Sequence, residues 1–197
     1  MDTLYYVTGN ESKFDQAKAF FSPRGIGLVQ ANLDTYEIQG SDALSIAQSK
    51  ARQAWDQLHE PLFINDACWI IPALGGFPGP YMKYINQWFQ PEDFLNLMRG
   101  KADRTIILRD VIVYADANGA QTFTNDHKGT ILEAVFPGEY RNPSDVVVSL
   151  SASGRSLAQE LAAGSSFLEG EDTVWKSFLS WLKDPDRYNT KRNPYAE

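Results

Sequence analysis

The sequence predicts an α/β fold, and three observations predict it. Short runs of β-branched and aromatic residues, at 4–7, 28–31 and 62–64, alternate with two stretches of helical periodicity, about Glu11 to Phe21 and Ser41 to Leu58. The second half is richer in strand formers, with a long run from Thr105 to Tyr114 and a turn signal at Asn118-Gly119. The chain's 197 residues suffice for one sizeable core or a two-lobed single domain.

Leu4 to Val7 reads as a buried first strand, broken by Thr8-Gly9-Asn10. The helix that follows places Phe14, Ala17, Phe20 and Phe21 on one face and Lys13 in its first turn. The helix dipole disfavours a cation there unless an anion sits nearby. Strand, glycine turn and helix N-terminus form either a phosphate cradle or an ordinary connection with a solvated lysine. Leu28 to Ala31 is a second strand; the irregular stretch Asn32 to Gly40 carries Glu37. Ser41 or Asp42 caps the second helix, whose core face is Leu44, Ala47, Ala51, Ala54, Trp55 and Leu58. Lys50 lies at the edge of that face, ordinarily a snorkelling position.

Pro61 to Tyr84 is the most informative stretch. Leu62, Phe63 and Ile64 read as a strand buried on both faces and ending at Asn65-Asp66. A carboxylate at the C-terminal end of a strand is where open α/β sheets place ligands, although Asp66 could equally cap a turn. Gly75, Gly76, Pro78, Gly79 and Pro80 then crowd into a loop suited to gripping a ligand or to bending the chain, with Lys83 within reach. Pro91 to Met98 reads as a short helix with Phe94, Leu95 and Met98 inward. Strands are expected at 121–124, 130–136 and 146–150, and helix at 156–163. Asp172 or Thr173 opens a last helix with Trp175, Phe178, Leu179 and Leu182 at helical spacing, and the polar tail from Asp184 reads as loose.

The net charge of −7 argues against a broad nucleic-acid or anionic-membrane surface, so any phosphate site must be built locally from a few lysines and backbone N–H groups. No apolar stretch approaches the ~20 residues of a membrane span, and the start Met1-Asp2-Thr3 shows no signal peptide. Cys68 is the only cysteine, which precludes an internal disulfide and fits a reducing compartment, so a cytoplasmic location is expected. His59 and His127 are the only histidines, far apart in sequence and without zinc spacing or a Ser/His/Asp arrangement. Carboxylates and lysines must therefore carry any chemistry, which points to a hard cation such as Mg²⁺ acting on phosphate.

With these residues in view, the chain resembles the inosine triphosphate pyrophosphatase family, the Ham1-like purine nucleoside triphosphate pyrophosphatases. The resemblance rests on Thr8-Gly9-Asn10-x-x-Lys13, Glu37-Ile38-Gln39-Gly40, Lys50-Ala51, Asp66 and Ala73-Leu74-Gly75-Gly76-Phe77-Pro78-Gly79-Pro80-Tyr81-x-Lys83. Asp103-Arg104-Thr105 and Phe123 with Gly129-x-Ile131 extend it to about residues 3 to 135. It implies a two-lobed mixed β-sheet with flanking helices and a central cleft, a homodimer, and Mg²⁺-dependent hydrolysis of a nucleoside triphosphate to monophosphate and pyrophosphate. By the same resemblance, Thr8, Gly9, Asn10, Lys13, Lys50, Gly76, Lys83 and Arg155 would bind substrate. Asp66 and Lys13 would be catalytic, and Glu37 and Asp66 would bind the metal.

Four departures qualify it. Asn65-Asp66 stands where the family has an acidic pair, which drops one negative charge while keeping an oxygen ligand, and Ala67 removes a hydroxyl. The family's base-stacking segment has no counterpart before Phe136-Pro137-Gly138, and Ala152-Ser153 replaces a base-contacting His-Arg pair while Arg155 remains. The triphosphate half of the expected site is therefore largely present and the base half largely gone. Three functions follow: a nucleoside triphosphate pyrophosphatase of altered base preference, a degenerate relative that binds a nucleotide or phosphate without turnover, or another phosphohydrolase on the same scaffold, acting for example on a modified or non-nucleotide pyrophosphate. The expected division is a domain at 1–165 and a C-terminal helix and tail at 166–197 without a family counterpart, with Phe167, Trp175 or Trp181 serving either as a lid or as packing.

Overall fold

The computed structural model describes residues 3–164 and 173–188; Phe167 and Asp172 lie outside them. β1 (Leu4–Val7) lies parallel to β2 (Leu28–Ala31) on one side and to β3 (Leu62–Ile70) on the other. β3 then runs antiparallel to β5 (Thr105–Asp116), which pairs with β6 (Gly119–Ile131), which ends against β7 (Val148–Ser149). The sheet order is β2-β1-β3-β5-β6-β7, with the short β4 (Pro78–Gly79) hydrogen-bonded to the far end of β3. This is a mixed sheet, and the helices cover both of its faces.

Side chains alternate across a strand, so the ladder registers sort the residues into faces. On one face Tyr6, Phe63, Ile112 and Tyr114 pack under α1 (Glu11–Phe21) and α6 (Val174–Lys183), with Ala17, Phe20, Phe21, Trp175, Phe178 and Leu182 buried among them. Further along the same face, Trp69, Ile106 and Ile131 form a second core with Phe94 of α4 (Pro91–Leu97), with Val146 to Val148 and with Leu157 and Ala158 of α5 (Leu157–Ala162). The opposite face, Ile64, Val111 and Val113, is covered by Ala47 and Ala51 of α2 (Ala43–Leu58). The two cores lie side by side on the first face.

Three expectations need correction. β3 does not end at Asp66. It continues to Ile70, with Asp66 opposite Val111 of β5. Only Leu62 and Phe63 pair with β1, so it is the parallel ladder, not the strand, that stops short of Asp66. The ladder to β5 satisfies the backbone there, while the missing β1 neighbour leaves the polar side chains open to solvent. The strand expected at 130–136 keeps only Thr130 and Ile131, because β6 runs unbroken from the hairpin and the chain then leaves the sheet. Val146 to Leu150 resolves into a 3-10 turn at Pro143–Val146 and the two-residue β7. A Cβ on Gly129 would lie 2.3 Å from the Ser149 carbonyl oxygen, so glycine is what lets β7 approach β6.

The hairpin turn comes one residue earlier than its Asn-Gly signal, with Ala117-Asn118 linking Asp116 to Gly119. α3 (Met82–Trp88) is a helix the sequence pattern did not mark. Thr173 caps α6 through its side chain, and Trp175 and Trp181 of α6 belong to the first core or pack against it. The tail is fastened as far as Tyr188, whose hydroxyl donates to the Asp116 carboxylate. Among the described residues no helix is long and apolar enough to cross a membrane.

Candidate active site

Three lysines reach one cleft by three local routes. The first is the turn between β1 and α1. Asn10 caps the helix, its side-chain oxygen accepting from the Lys13 N–H at 3.1 Å, and Thr8 Oγ1 accepts from the Asn10 N–H at 3.1 Å. A Cβ on Gly9 would come within 3.0 Å of Asn32 Oδ1, so the turn is narrow enough to want glycine. Lys13 then reaches across to β3, Nζ donating to the Asn65 carbonyl oxygen at 3.3 Å.

The second route is α2. Asp42 caps it, accepting from the Leu44 and Ser45 N–H groups. Lys50 is no idle snorkelling residue: Nζ lies 2.7 Å from Glu37 Oε1 and 2.8 Å from Asp66 Oδ2. Glu37 is held there although its segment has no regular structure. Gln53 Nε2 donates to the Tyr36 carbonyl at 2.9 Å, Gln53 Oε1 accepts from the Tyr36 N–H at 2.8 Å, and Gln57 Nε2 donates to the Asp34 carbonyl at 2.9 Å. Burial works against the Lys50 charge, but Asp66 and Glu37 outweigh it and hold the ammonium above the usual lysine range.

The third route is the glycine-rich loop. Pro72–Leu74 forms a 3-10 turn, Gly75 and Gly76 follow at φ 68° and 95°, and Pro78 and Gly79 pair with Ile70 and Trp69. Only glycine takes those two angles without strain. The glycines of the loop do not line the cleft. The loop folds back on β3 and delivers α3, whose first turn carries the exposed Lys83.

A cleft of about 620 Å³ collects Thr8, Gly9, Asn10, Lys13, Lys50, Asn65, Asp66 and Lys83, with Val7, Leu33, Thr35 and Ile64 as its apolar lining. Gly76 and Arg155 do not line it. Gly76 serves the turn, its N–H donating to the Ile71 carbonyl, and Arg155 is exposed in the segment before α5. Arg104, part of the matched pattern, is occupied with structure, donating to the Ile131 and Leu132 carbonyls. Cys68 is buried, which pushes its thiol up to about 11 and away from nucleophile chemistry.

One residue the sequence reading missed stands beside the cleft. Asn65 Nδ2 donates to Asp110 Oδ1 at 2.5 Å and to the Val111 carbonyl at 3.1 Å. The charge absent at position 65 is therefore present one strand over. Burial pushes the Asp110 carboxyl above its ordinary range, against the opposing pull of Asn65, Lys13 and His127. Its only sequence signal is a carboxylate in the middle of the β-branched run 105–114.

The acids fit a hard divalent cation. Glu37 and Asp66 already place one oxygen each around a single positive centre, the Lys50 ammonium, at 2.7 and 2.8 Å. Among the described residues no three His, Cys, Asp or Glu side chains converge, so phosphate oxygens and water would complete the shell, the usual arrangement for Mg²⁺.

Comparison with known proteins agrees with this geometry. Residues 4–142 match the model of the Ham1 family. The dITP/XTP pyrophosphatase of Methanopyrus kandleri is 33% identical over 131 residues, covering 66% of this chain and 70% of that protein. The dITP/XTP pyrophosphatase of Thermococcus kodakarensis is 26% identical over 182 residues, 92% of this chain and 97% of that protein. Among solved structures, a HAM1 protein from Coxiella burnetii superposes with a TM-score of 0.76 at 20% identity, covering 92% of this chain and 98% of that one. The structural likeness shows the fold, while the match over 139 consecutive residues, 4–142, reaches well past half of the 197 and includes every element that brings a lysine to the cleft. The chain belongs to the Ham1 family.

Proposed function

We propose that the protein is a nucleoside triphosphate pyrophosphatase, hydrolysing its substrate between the α- and β-phosphates to monophosphate and pyrophosphate. The observation that carries this is the convergence of Lys13, Lys50 and Lys83 with Asp66 on one cleft. Phosphoryl transfer asks for positioning and charge neutralisation more than for covalent chemistry, and this set supplies both. Lys13 and the N-terminus of α1, shaped by Thr8, Gly9 and Asn10, take phosphate oxygens. Lys83 neutralises the chain from the opposite side. Asp66 accepts a proton from the attacking water or holds the cation beside it, with Glu37 as the second carboxylate. Mg²⁺, when bound, would supply Lewis-acid polarisation of the phosphates at Glu37 and Asp66.

The relatives named as dITP/XTP pyrophosphatases support the reaction. The replaced base-reading segments support a base preference of this chain's own. Action as a cytoplasmic homodimer belongs to the same proposal. Initial rates of pyrophosphate release with Mg²⁺ across ITP, XTP, GTP, ATP and pyrimidine triphosphates test it. A large preference for ITP and XTP would refute the altered preference. A competing reading, a nucleotide binder without turnover, draws on the Lys50 ammonium occupying the point shared by the two acids. Tight binding with no pyrophosphate released would favour it.

A further inference from the structure

We infer that Asp110 and His127, on the sheet face between the two cores, are specificity-determining residues that read the nucleoside half of the substrate. The inference deepens the reading proposed above and rests on it for the identity of the ligand. The ladder registers align Ala67, Asp110 and Asn125 across three strands, with Asn65 and His127 on the same face. On either side that face is apolar: Phe63, Ile112 and Phe123 belong to or pack on the first core, and Trp69, Ile106 and Leu108 to the second. A polar strip in the middle of an apolar sheet face costs stability unless it stays open to water or ligand. It does stay open. Ala67, hydrogen-bonded to β5 in mid-strand, is exposed, and Asn65, Asp110, Asn125 and His127 around it are half-buried, so the strip is reachable from above Ala67.

The strip is also organised. Asp110 Oδ1 accepts from Asn65, and Asn125 Nδ2 lies 2.9 Å from His127 Nε2. With the Asn125 amide nitrogen donating to Nε2, the other ring nitrogen, Nδ1, is the one that can donate to a ligand. Asp110 thus offers an acceptor and His127 a donor. The Tyr6 hydroxyl is buried nearby; Thr8 is close to it, but among the described residues it makes no hydrogen bond of normal geometry. The loop after β6 is tied to the first turn of α1 by Arg141 Nη1, which donates to Ser12 Oγ at 3.0 Å.

Placement matches what a nucleotide requires. The lysine-lined cleft meets β3 at Asn65, on this face, and at Asp66, whose side chain lies on the face covered by α2. Strands lie about 4.8 Å apart, so Asp110 is one step and His127 two steps away, the reach of a ribose and then a base. Asp110 would accept from a ribose hydroxyl or a base N–H, and His127 Nδ1 would donate to a base acceptor.

The test separates the two halves of the substrate. The intact protein, Asp110→Ala and His127→Ala are titrated with nucleoside monophosphates and, separately, with inorganic pyrophosphate. We expect each substitution to weaken the best-bound monophosphate by roughly 10-fold or more, the scale of a hydrogen bond to a charged or buried partner, with pyrophosphate affinity within about 2-fold of the wild type. Should Asp110→Ala fail to fold, Asp110→Asn keeps the acceptor for Asn65 and is read the same way. Unchanged monophosphate affinity in both substitutions, equal weakening of pyrophosphate, or a wild type that binds no monophosphate would overturn the inference. Wild-type turnover is read separately. Monophosphate binding that depends on Asp110 and His127, with no pyrophosphate ever released, would leave this inference standing and remove the proposed reaction.

Discussion

The phosphate end of the cleft and the polar strip beside it are built on different principles. At the phosphate end each group comes from a short, self-contained segment: a capped helix turn for Lys13, an amphipathic helix for Lys50, a glycine-rich fold-back for Lys83. Along the strip no segment supplies more than two residues, and only strand register brings Asn65, Asp110 and His127 together. The difference follows from what is recognised. A polyphosphate is mostly charge, and charge is met by a few cations with loose angular demands. A base or ribose must be met by donors and acceptors at fixed points, and a sheet face supplies fixed points. The first end can be kept as a motif, while the second can be rewritten by single substitutions on separate strands.

The comparison can be broken at its strongest point first. Removing divalent cations with a chelator should bring pyrophosphate release to background, and added Mg²⁺ should restore it; activity that survives chelation would remove the metal from the phosphate end. Asp66→Asn should lower turnover by at least ~10², with circular dichroism and melting unchanged. Equal turnover in that variant would take Asp66 out of the mechanism. Lys13→Ala should act mainly on substrate binding, raising KM with a smaller effect on kcat, by roughly 10-fold for one lost charged contact. A fall in kcat alone would contradict the cradle.

The smallest effect falls on the strip and concerns stability. The folded Asp110 carboxyl titrates above its unfolded value because burial penalises its charge. Its proton therefore favours the folded state fully below the unfolded carboxylate range, and that contribution is lost as pH rises through the raised folded value. At neutral pH the charge costs stability, so Asp110→Asn should raise Tm by a few °C, and the gain should shrink as pH falls through the raised folded value and be gone below about 4. A lower Tm at neutral pH, or a gap that does not change with pH, would show that the hydrogen bond to Asn65 outweighs the buried charge.

Much of the first half of the chain was legible because its signals are local. β1, α1 and β2 begin and end where their apolar periodicity and the Thr8-Gly9-Asn10 break place them, and Asp42 caps α2 as one of two expected residues. Lys50 was harder, since an edge lysine looks the same whether it snorkels or pairs, and the two glutamines that hold Glu37 over it lie on the exposed side of α2. Gly76 was read as a ligand contact because turn chemistry and ligand chemistry ask for the same residue. Arg155 rests on the resemblance alone: it is exposed and does not line the cleft. Asp110 was invisible because a lone carboxylate in a strand has no meaning until its cross-strand partner is known.

By itself the sequence determined β1, α1, β2 and α2 and the residues able to meet a polyphosphate, because each depends on residue type and spacing within about one element. Only the tertiary structure decided that β3 runs on past Asp66, that one ammonium holds both Glu37 and Asp66, and that the charge absent at Asn65 stands next door at Asp110. The physical reason is range. Periodicity and capping act over a few residues, whereas strand register and ion pairing join groups tens of residues apart and are set by the packing of two cores against one sheet.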